Sequence, residues 1–497
     1  MSDIDLGDRH RRAVSGLGNT ALPKVVKITA GQLGNQPARQ HLLVCLVNLL
    51  ARLHGSVKTI KLQVSGDITV PLPHAAPLGN AFAAMENLAA WANGGRIPVL
   101  AATGESDITI DISYNPVEGA HLYACGAGWK SWIGVRPPDF ALGEDEPGCL
   151  GPYFAATMLA GEVFKMSKGL IKGRYATNDA YSLWTGEVGA WDDLADGPPV
   201  RGTSLPAVYL VGAGAVGQGV MQVLGASELA DAYVVTIDHD HHDKEGTNLN
   251  RCFLAGIEDI LEPKVDVVSR YRGLTNLNGF EFKGRLGDYL IGEKVGLRPD
   301  LVEAERADRY DLVVSAVDIN RSRQDIQGLS PTIVIGGSTD SLRAQATSYS
   351  VVENAECLGC WNEPEDDRAR AILLEASLRS LSVEERRHRL AGQVGDLDAA
   401  LAYLAAAKPR CGQLGESDVR SFTTAVSPEF SVSFVSMAAA VMTTARLFTV
   451  TMWPHEAGRR AAKGLFQFKS LKADNVTTPR RAACPHCGKG RHLITRR

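Results

Sequence analysis

The stretch 210–219, LVGAGAVGQG, decides the fold. It closes the apolar run AVYLVG (207–212) and opens AVGQGVMQVLGAS (215–227), whose apolar residues recur at helical spacing. Gly212, Gly214 and Gly217 thus form G-x-G-x-x-G between a strand and a helix. Such glycines permit a tight turn and close approach of a nucleotide, and the helix N-terminus favours negative charge. The next strand, YVVTID (233–238), ends in Asp238, where an acid can hold a ribose hydroxyl. Taken alone, these features are those of an NAD-type dehydrogenase.

Working outward, DLVVSAVD (311–318) and TIVIGG (332–337) read as further buried strands, apolar on both faces as a parallel sheet requires. From about 364 to 408 the pattern becomes charged and helical, an insertion in the α/β rhythm, and SVSFVSMAAAVMTTARLF (431–448) returns as a long apolar helix. Upstream, GEVGAWDDLADGPPVRGTSLP (186–206) has no apolar period and reads as a linker. Before it lies a second α/β region. KVVKIT (24–29), VKTIKLQV (57–64) and DITIDIS (107–113) read as strands, and QHLLVCLVNLLARL (40–53) and YFAATMLAGEVFKMS (153–167) as helices. Its loop AGQLGN (30–35) lacks the full glycine pattern and its next strand lacks a terminal acid, so this half reads as a fold that has lost its ligand. The expected class is α/β, two Rossmann-like halves forming a pseudo-dimer. The expected division is 1–190, a linker 191–206, an active unit 207–362, a helical insertion 363–420 and a C-terminal part 421–497.

The bulk composition narrows the function. Lys+Arg 52 against Asp+Glu 56 leaves a net charge of −4, which gives no reason to expect nucleic acid or an anionic membrane as the main partner. No apolar run approaches the ~20 residues that cross a bilayer. The start, MSDIDLGDRHRR, has no apolar centre and is not a secretory signal. Nine cysteines in 497 residues are too sparse for a disulfide scaffold. Four of them sit in two C-x-x-C pairs, pointing to a reducing compartment and a metal. The expected location is cytoplasmic.

The residues after Asp238 turn the reading away from hydride transfer. DHDHHDKEGTNLNRCF (238–253) and LEPK (261–264) place Asn248, Arg251 and Lys264 downstream of the ribose acid. Hydride transfer needs no extra cations beside a diphosphate, whereas breaking a triphosphate does, because charge accumulates on the leaving pyrophosphate. Asp318, at the end of a buried strand, can hold Mg²⁺ on phosphate oxygens. No G-x-x-x-x-G-K-[ST] occurs, so the chain is not a P-loop enzyme. The run HDHHD (239–243) offers the residue types of a metal cluster, but nothing in the sequence sets ligand geometry there, and it reads as a solvated loop after the ribose strand.

With G-x-G-x-x-G, D-x-D at 238–240, N-L-N-R at 248–251, P-K at 263–264 and Asp318, the chain resembles the ubiquitin-activating superfamily, which includes bacterial adenylyltransferases for molybdopterin synthase and thiamine biosynthesis. The resemblance implies ATP-dependent adenylation of the C-terminal glycine of a ubiquitin-like protein. Gly212, Gly214, Gly217, Asp238 and Asp240 would then form the nucleotide site, Asn248, Arg251 and Lys264 would contact phosphates, and Asp318 the magnesium. Cys252 stands where the family often has Gln. The pairs Cys357–Cys360 and Cys484–Cys487 can form a closed tetrahedral Cys₄ shell, and the family places its structural Zn²⁺ in this way. Cys411, in KPRCGQLG between the pairs, occupies the interval where relatives carry an acyl-accepting cysteine. Cys45, Cys125, Cys149 and Cys252 read as core thiols. Arg12, in RHRRA (9–13), matches loosely an arginine that crosses to the partner unit's ATP. A conjugating enzyme is the expected second partner, and the chain is a monomer with an internal pseudo-dimer, or a homodimer. The rival readings are a sulfur-carrier adenylyltransferase without conjugation, an NAD(P)-dependent oxidoreductase, and a zinc-stabilised binding scaffold.

Overall fold

The computed structural model describes residues 22–74, 79–140, 142, 148–170, 178–244, 246–350, 356–363, 375–390, 397–406, 432–457, 463–477 and 479–488. Arg12 and Cys411 lie outside the described residues.

The first half runs β1 (Lys24–Gln32), α1 (Pro37–Ala51), β2 (Val57–Ser65), β3 (Val99–Ala101), β4 (Ile108–Asp111), β5 (Leu122–Ala127), β6 (Lys130–Gly134), α2 (Leu150–Lys168), β7 (Asn178–Ser182) and β8 (Glu187–Gly189). The second runs β9 (Val208–Val211), α3 (Ala215–Ala226), β10 (Tyr233–Asp238), α4 (Lys264–Arg272), β11 (Asn278–Lys283), β12 (Leu312–Ser315), α5 (Asn320–Gly328), β13 (Ile333–Asp340), β14 (Arg343–Ser350), α6 (Ser433–Met452), β15 (Lys463–Gln467) and β16 (Lys472–Val476). Each half builds an eight-stranded sheet, ordered β3-β2-β1-β4-β5-β6-β7-β8 and β11-β10-β9-β12-β13-β14-β15-β16. The orders match strand for strand. In both, the pairings from the first-named edge to the fifth strand are parallel and the rest antiparallel. The halves are therefore structural repeats, as the two α/β patterns led one to expect.

Helices α2 and α6 occupy equivalent places and pack on each other between the sheets, α2 against β5 and β6, α6 against β13 and β14. One continuous apolar core runs from Val26 and Ile28 of β1 through Tyr153 and Phe164 of α2 to Phe434 and Phe448 of α6. By length and composition, Ser433–Met452 is long and apolar enough to cross a membrane, contrary to the sequence expectation, and 89% of its most apolar window is buried in the protein. Its central position, covered by both halves, accounts for that composition.

The outer face of the second sheet carries its own cluster, including Tyr209, Val211, Val235 and Val313. Strand β9 is buried on both faces because its neighbours β10 and β12 and the helices either side leave it no solvent. The helical insertion is present as Val383–Leu390 and Leu397–Ala405, which bury Leu378, Leu390, Ala400 and Leu404 in a small cluster of their own. The stretch expected as a linker includes β8 and a 3₁₀ turn at Trp191–Asp193 before the chain enters β9.

Candidate nucleotide site

The glycine turn follows directly from where β9 ends. Gly212 has φ +100°, and a Cβ there would stand 2.7 Å from the carbonyl oxygen of Ala316. A Cβ on Gly217 would stand 2.0 Å from the carbonyl oxygen of Gly212, so only glycine lets α3 seat this close to the turn. At Gly214, the N-cap of α3, an added Cβ meets nothing within 4 Å. The turn is thus tight where it touches protein and open where a ligand would lie.

Asp238 ends β10 beside this turn. Its Oδ2 accepts the Ala213 amide at 2.5 Å and its Oδ1 the Asp240 amide at 2.8 Å. A short antiparallel ladder follows, in which the amides of His242 and Lys264 donate to the carbonyls of Glu262 and Asp240 at 2.9 and 3.0 Å. This ladder returns the chain to the site and places Lys264, the first residue of α4, at 2.7 Å from Asp240 Oδ2. Burial alone would lower the Lys264 pKa, but the hydrogen bond that Lys264 donates to Asp240 and the charges of Asp238 and Asp240 outweigh it and raise the value.

Between β10 and α4, Asp243 accepts the amide of Thr247 at 2.6 Å and starts a 3₁₀ turn, Thr247–Asn250. Asn248 is the second residue of that turn, and its Oδ1 accepts Arg251 Nη2 at 2.9 Å. The Nη1 of Arg251 is buried with no hydrogen-bond partner among the described residues. Gln218 ties the parts together. Its Nε2 donates to Ala213 O at 3.1 Å and its Oε1 accepts the Leu254 amide at 3.2 Å.

The structure therefore gathers Gly212, Gly214, Gly217, Asp238, Asp240 and Lys264 around one turn, and ties the segment that carries Asn248 and Arg251 to it through Leu254 and Gln218. Two sequence readings need correction. The strand expected to end at Asp318 ends at Ser315, and Asp318 lies three residues on in an exposed loop, because the last sheet bond is donated by Ala316 to Val211 O at 2.8 Å. Within HDHHD, His242 is buried, not solvated, since the ladder turns it onto Gln218 Nε2 at 3.2 Å. Sequence reasoning also missed Gln218 and, in the first half, Arg52.

Among the described residues, the first half offers no equivalent site. There β1 continues through Gly31 to Gln32, and the Arg39 guanidinium donates to the carbonyls of Ala30 and Gln32 at 3.3 and 3.2 Å. The end of β2 is Ser65, with no acid to take a ribose.

Beyond the nucleotide turn, the two C-x-x-C pairs meet. Sγ separations are 3.8 Å for Cys357–Cys360, 3.6 Å for Cys357–Cys484 and 3.3 Å for Cys360–Cys487, all too long for a disulfide. Four sulfurs around one Zn²⁺ at ~2.3 Å would stand ~3.8 Å apart, so the set fits that ion. Helix α5 braces it. Gln327 Oε1 accepts the Leu358 amide at 3.1 Å, and Gln324 Nε2 donates to Gly359 O at 3.0 Å. Since α5 begins two residues after Asp318, the cysteine cluster and the Asp318 loop share one support. Cys45, Cys125, Cys149 and Cys252 are buried, as expected of core thiols.

Residues 204–488, more than half of the chain, match the ThiF family. The chain belongs to the ThiF family. That places it in the superfamily of ubiquitin-activating-like adenylyltransferases, as the motifs around Asp238 implied. The matched span begins just before β9 and ends at the second cysteine pair, so the ThiF unit is the half that carries the glycine turn. Among solved structures, the chain is similar to MccB of E. coli with ATP, at 15% identity and TM-score 0.36, covering 57% of this chain and 66% of that one, just under two thirds of its length. It is similar also to the microcin biosynthetic enzyme MccB with N-formylated MccA, at 15% identity and TM-score 0.34, covering 57% and 67%. No curated protein matches the chain.

Proposed function

We propose that this ThiF-family chain adenylates the C-terminal glycine carboxylate of a ubiquitin-like protein with ATP and then captures the product as a thioester. The observation that carries the first step is the asymmetry between the halves. One repeat collects Asp238, Asp240, Asn248, Arg251 and Lys264 round an open glycine turn, while Arg39 closes the same turn in the other. A carboxylate oxygen attacks the α-phosphorus, the bond to the bridging oxygen breaks, and pyrophosphate leaves. Lys264 and Arg251 are fixed cations for the charge that develops there, and Asp238 holds the ribose. Asp318 would hold Mg²⁺, which when bound would further neutralise the phosphate oxygens. An oxidoreductase has no use for this cation set.

In the second step the Cys411 thiolate attacks the acyl carbonyl and AMP leaves, which keeps the activation energy as a thioester for a conjugating enzyme. Arg12 reaches from the first unit to the phosphates. The cysteine tetrad holds Zn²⁺ as a structural ion, since a closed Cys₄ shell leaves no open position for chemistry. On this reading residues 1–190 are the inactive unit, 207–362 with 421–497 the active one, and the protein works in the cytoplasm. ATP–pyrophosphate exchange in the presence of glycine-terminated ubiquitin-like proteins tests the first step. Exchange is expected with the wild-type chain and lost in Asp318→Ala with its fold intact. Undiminished exchange in that variant overturns the role of Asp318.

A further inference from the structure

Residues 248–255, which present Asn248 and Arg251, have only one 3₁₀ turn of regular structure, and their carbonyls need partners. Three of those carbonyls find a single side chain from the other half. Arg52, just past the end of α1, donates from Nη1 to Leu249 O at 2.6 Å. Its Nη2 donates to Phe253 O at 3.1 Å and to Ala255 O at 2.9 Å. Its Nε donates to Asn48 Oδ1 at 2.7 Å, and Asn48 Nδ2 adds a bond to Phe253 O at 3.1 Å. Arg52 is fully buried, and none of these acceptors is a carboxylate. A buried guanidinium held by neutral oxygens is expensive to desolvate, and its planar fork sets the geometry of whatever it binds. On its other side the same segment is tied through Leu254 and Gln218 to the glycine turn. Asn248 and Arg251 are therefore held between two anchors, one in each half.

We propose that Arg52 is a positioning residue for adenylation. The first half, its own turn closed by Arg39, holds the phosphate-facing segment of the second half in the form that receives ATP. The proposal rests on the adenylation reading. Arg52 touches no substrate and acts through the carbonyls of Leu249, Phe253 and Ala255.

The test is titration of the full chain with ATP and Mg²⁺, beside thermal unfolding, for wild type, Arg52→Met, Arg52→Lys and Asn475→Ala. Asn475 Nδ2 donates to Gly186 O at 2.8 Å, a bond between the halves at the far sheet edges, and so controls for mere docking of the halves. Arg52→Met is expected to weaken ATP binding by about tenfold or more. Arg52→Lys, which keeps the charge but cannot span three carbonyls, falls between it and wild type. Asn475→Ala shifts the unfolding midpoint alone. If Arg52→Met does not fold, Arg52→Lys decides. Folded Arg52 variants with wild-type ATP affinity overturn the proposal, as does an Asn475→Ala loss equal to theirs. Wild-type protein that binds no ATP overturns the adenylation reading itself and is thereby distinguished from these outcomes.

Discussion

Lys264 Nζ lies 2.7 Å from Asp240 Oδ2, so the cation that the proposed adenylation needs at the phosphates would be held in place by a carboxylate of the D-x-D stretch. The lysine side chain is 12% exposed and the aspartate 50%, so water screens the pair. Such a pair contributes about 0–1 kcal/mol to stability. Its value is in placement. Lys264→Ala is expected to lower the exchange rate about 10²-fold, with a small change in unfolding midpoint. Steady-state exchange and thermal unfolding measured on one preparation check this, and a normal rate contradicts it.

The cysteine tetrad predicts one zinc per chain by elemental analysis. Without a cation, burial and the hydrogen bond to Cys360 push the Cys487 thiol up to about 12, a poor state for a ligand that must be a thiolate. Cys484→Ser should remove the metal and lower stability by several kcal/mol, because the C-terminal segment is then joined to Cys357 and Cys360 by packing alone. Purified wild-type protein free of zinc contradicts the assignment.

Two buried histidines set a pH dependence. Burial lowers His41 to about 3, and burial with the nearby charges of Lys264, Arg52 and Arg270 lowers His242 to about 3, from an ordinary 6.5. Below 6.5 the unfolded chain takes up protons that the folded chain refuses. Stability is therefore full above about 6.5 and falls as the pH drops towards about 3. Between pH 6.5 and 5 each histidine loses about 2 kcal/mol. Denaturant midpoints across that range check it, and His41→Gln should flatten the slope. An unchanged slope in that variant contradicts the assignment of His41.

Cys411→Ala separates the two proposed steps. Only the second needs sulfur, so pyrophosphate exchange should persist while the thiol-sensitive adduct with the ubiquitin-like protein disappears. An adduct at full yield in Cys411→Ala places the thioester on another cysteine. Cys252 beside Arg251 is a poor replacement because it is buried.

Much of the fold was legible because backbone necessity leaves a mark in residue identity. Gly212 and Gly217 show in sequence because any side chain would strike Ala316 or Gly212 itself. The full repeat was less legible. Strands β6 and β7 join an antiparallel meander whose residues, KSWIG and NDAYS, form no apolar run. Asp318 was misplaced by three residues because VVSAVD continues its apolar character past the last sheet bond. Arg52 was invisible because it binds carbonyls, which every residue carries, so no pattern in the second half announces its partner.

The account turns on one nucleotide site per chain, located in the second half. Equilibrium titration of the full chain with ATP and Mg²⁺ measures it directly. The expected result is one ATP bound per chain, lost in Asp238→Ala and retained in Arg39→Ala. A stoichiometry of zero or two in the wild-type chain, or full binding in Asp238→Ala, contradicts it.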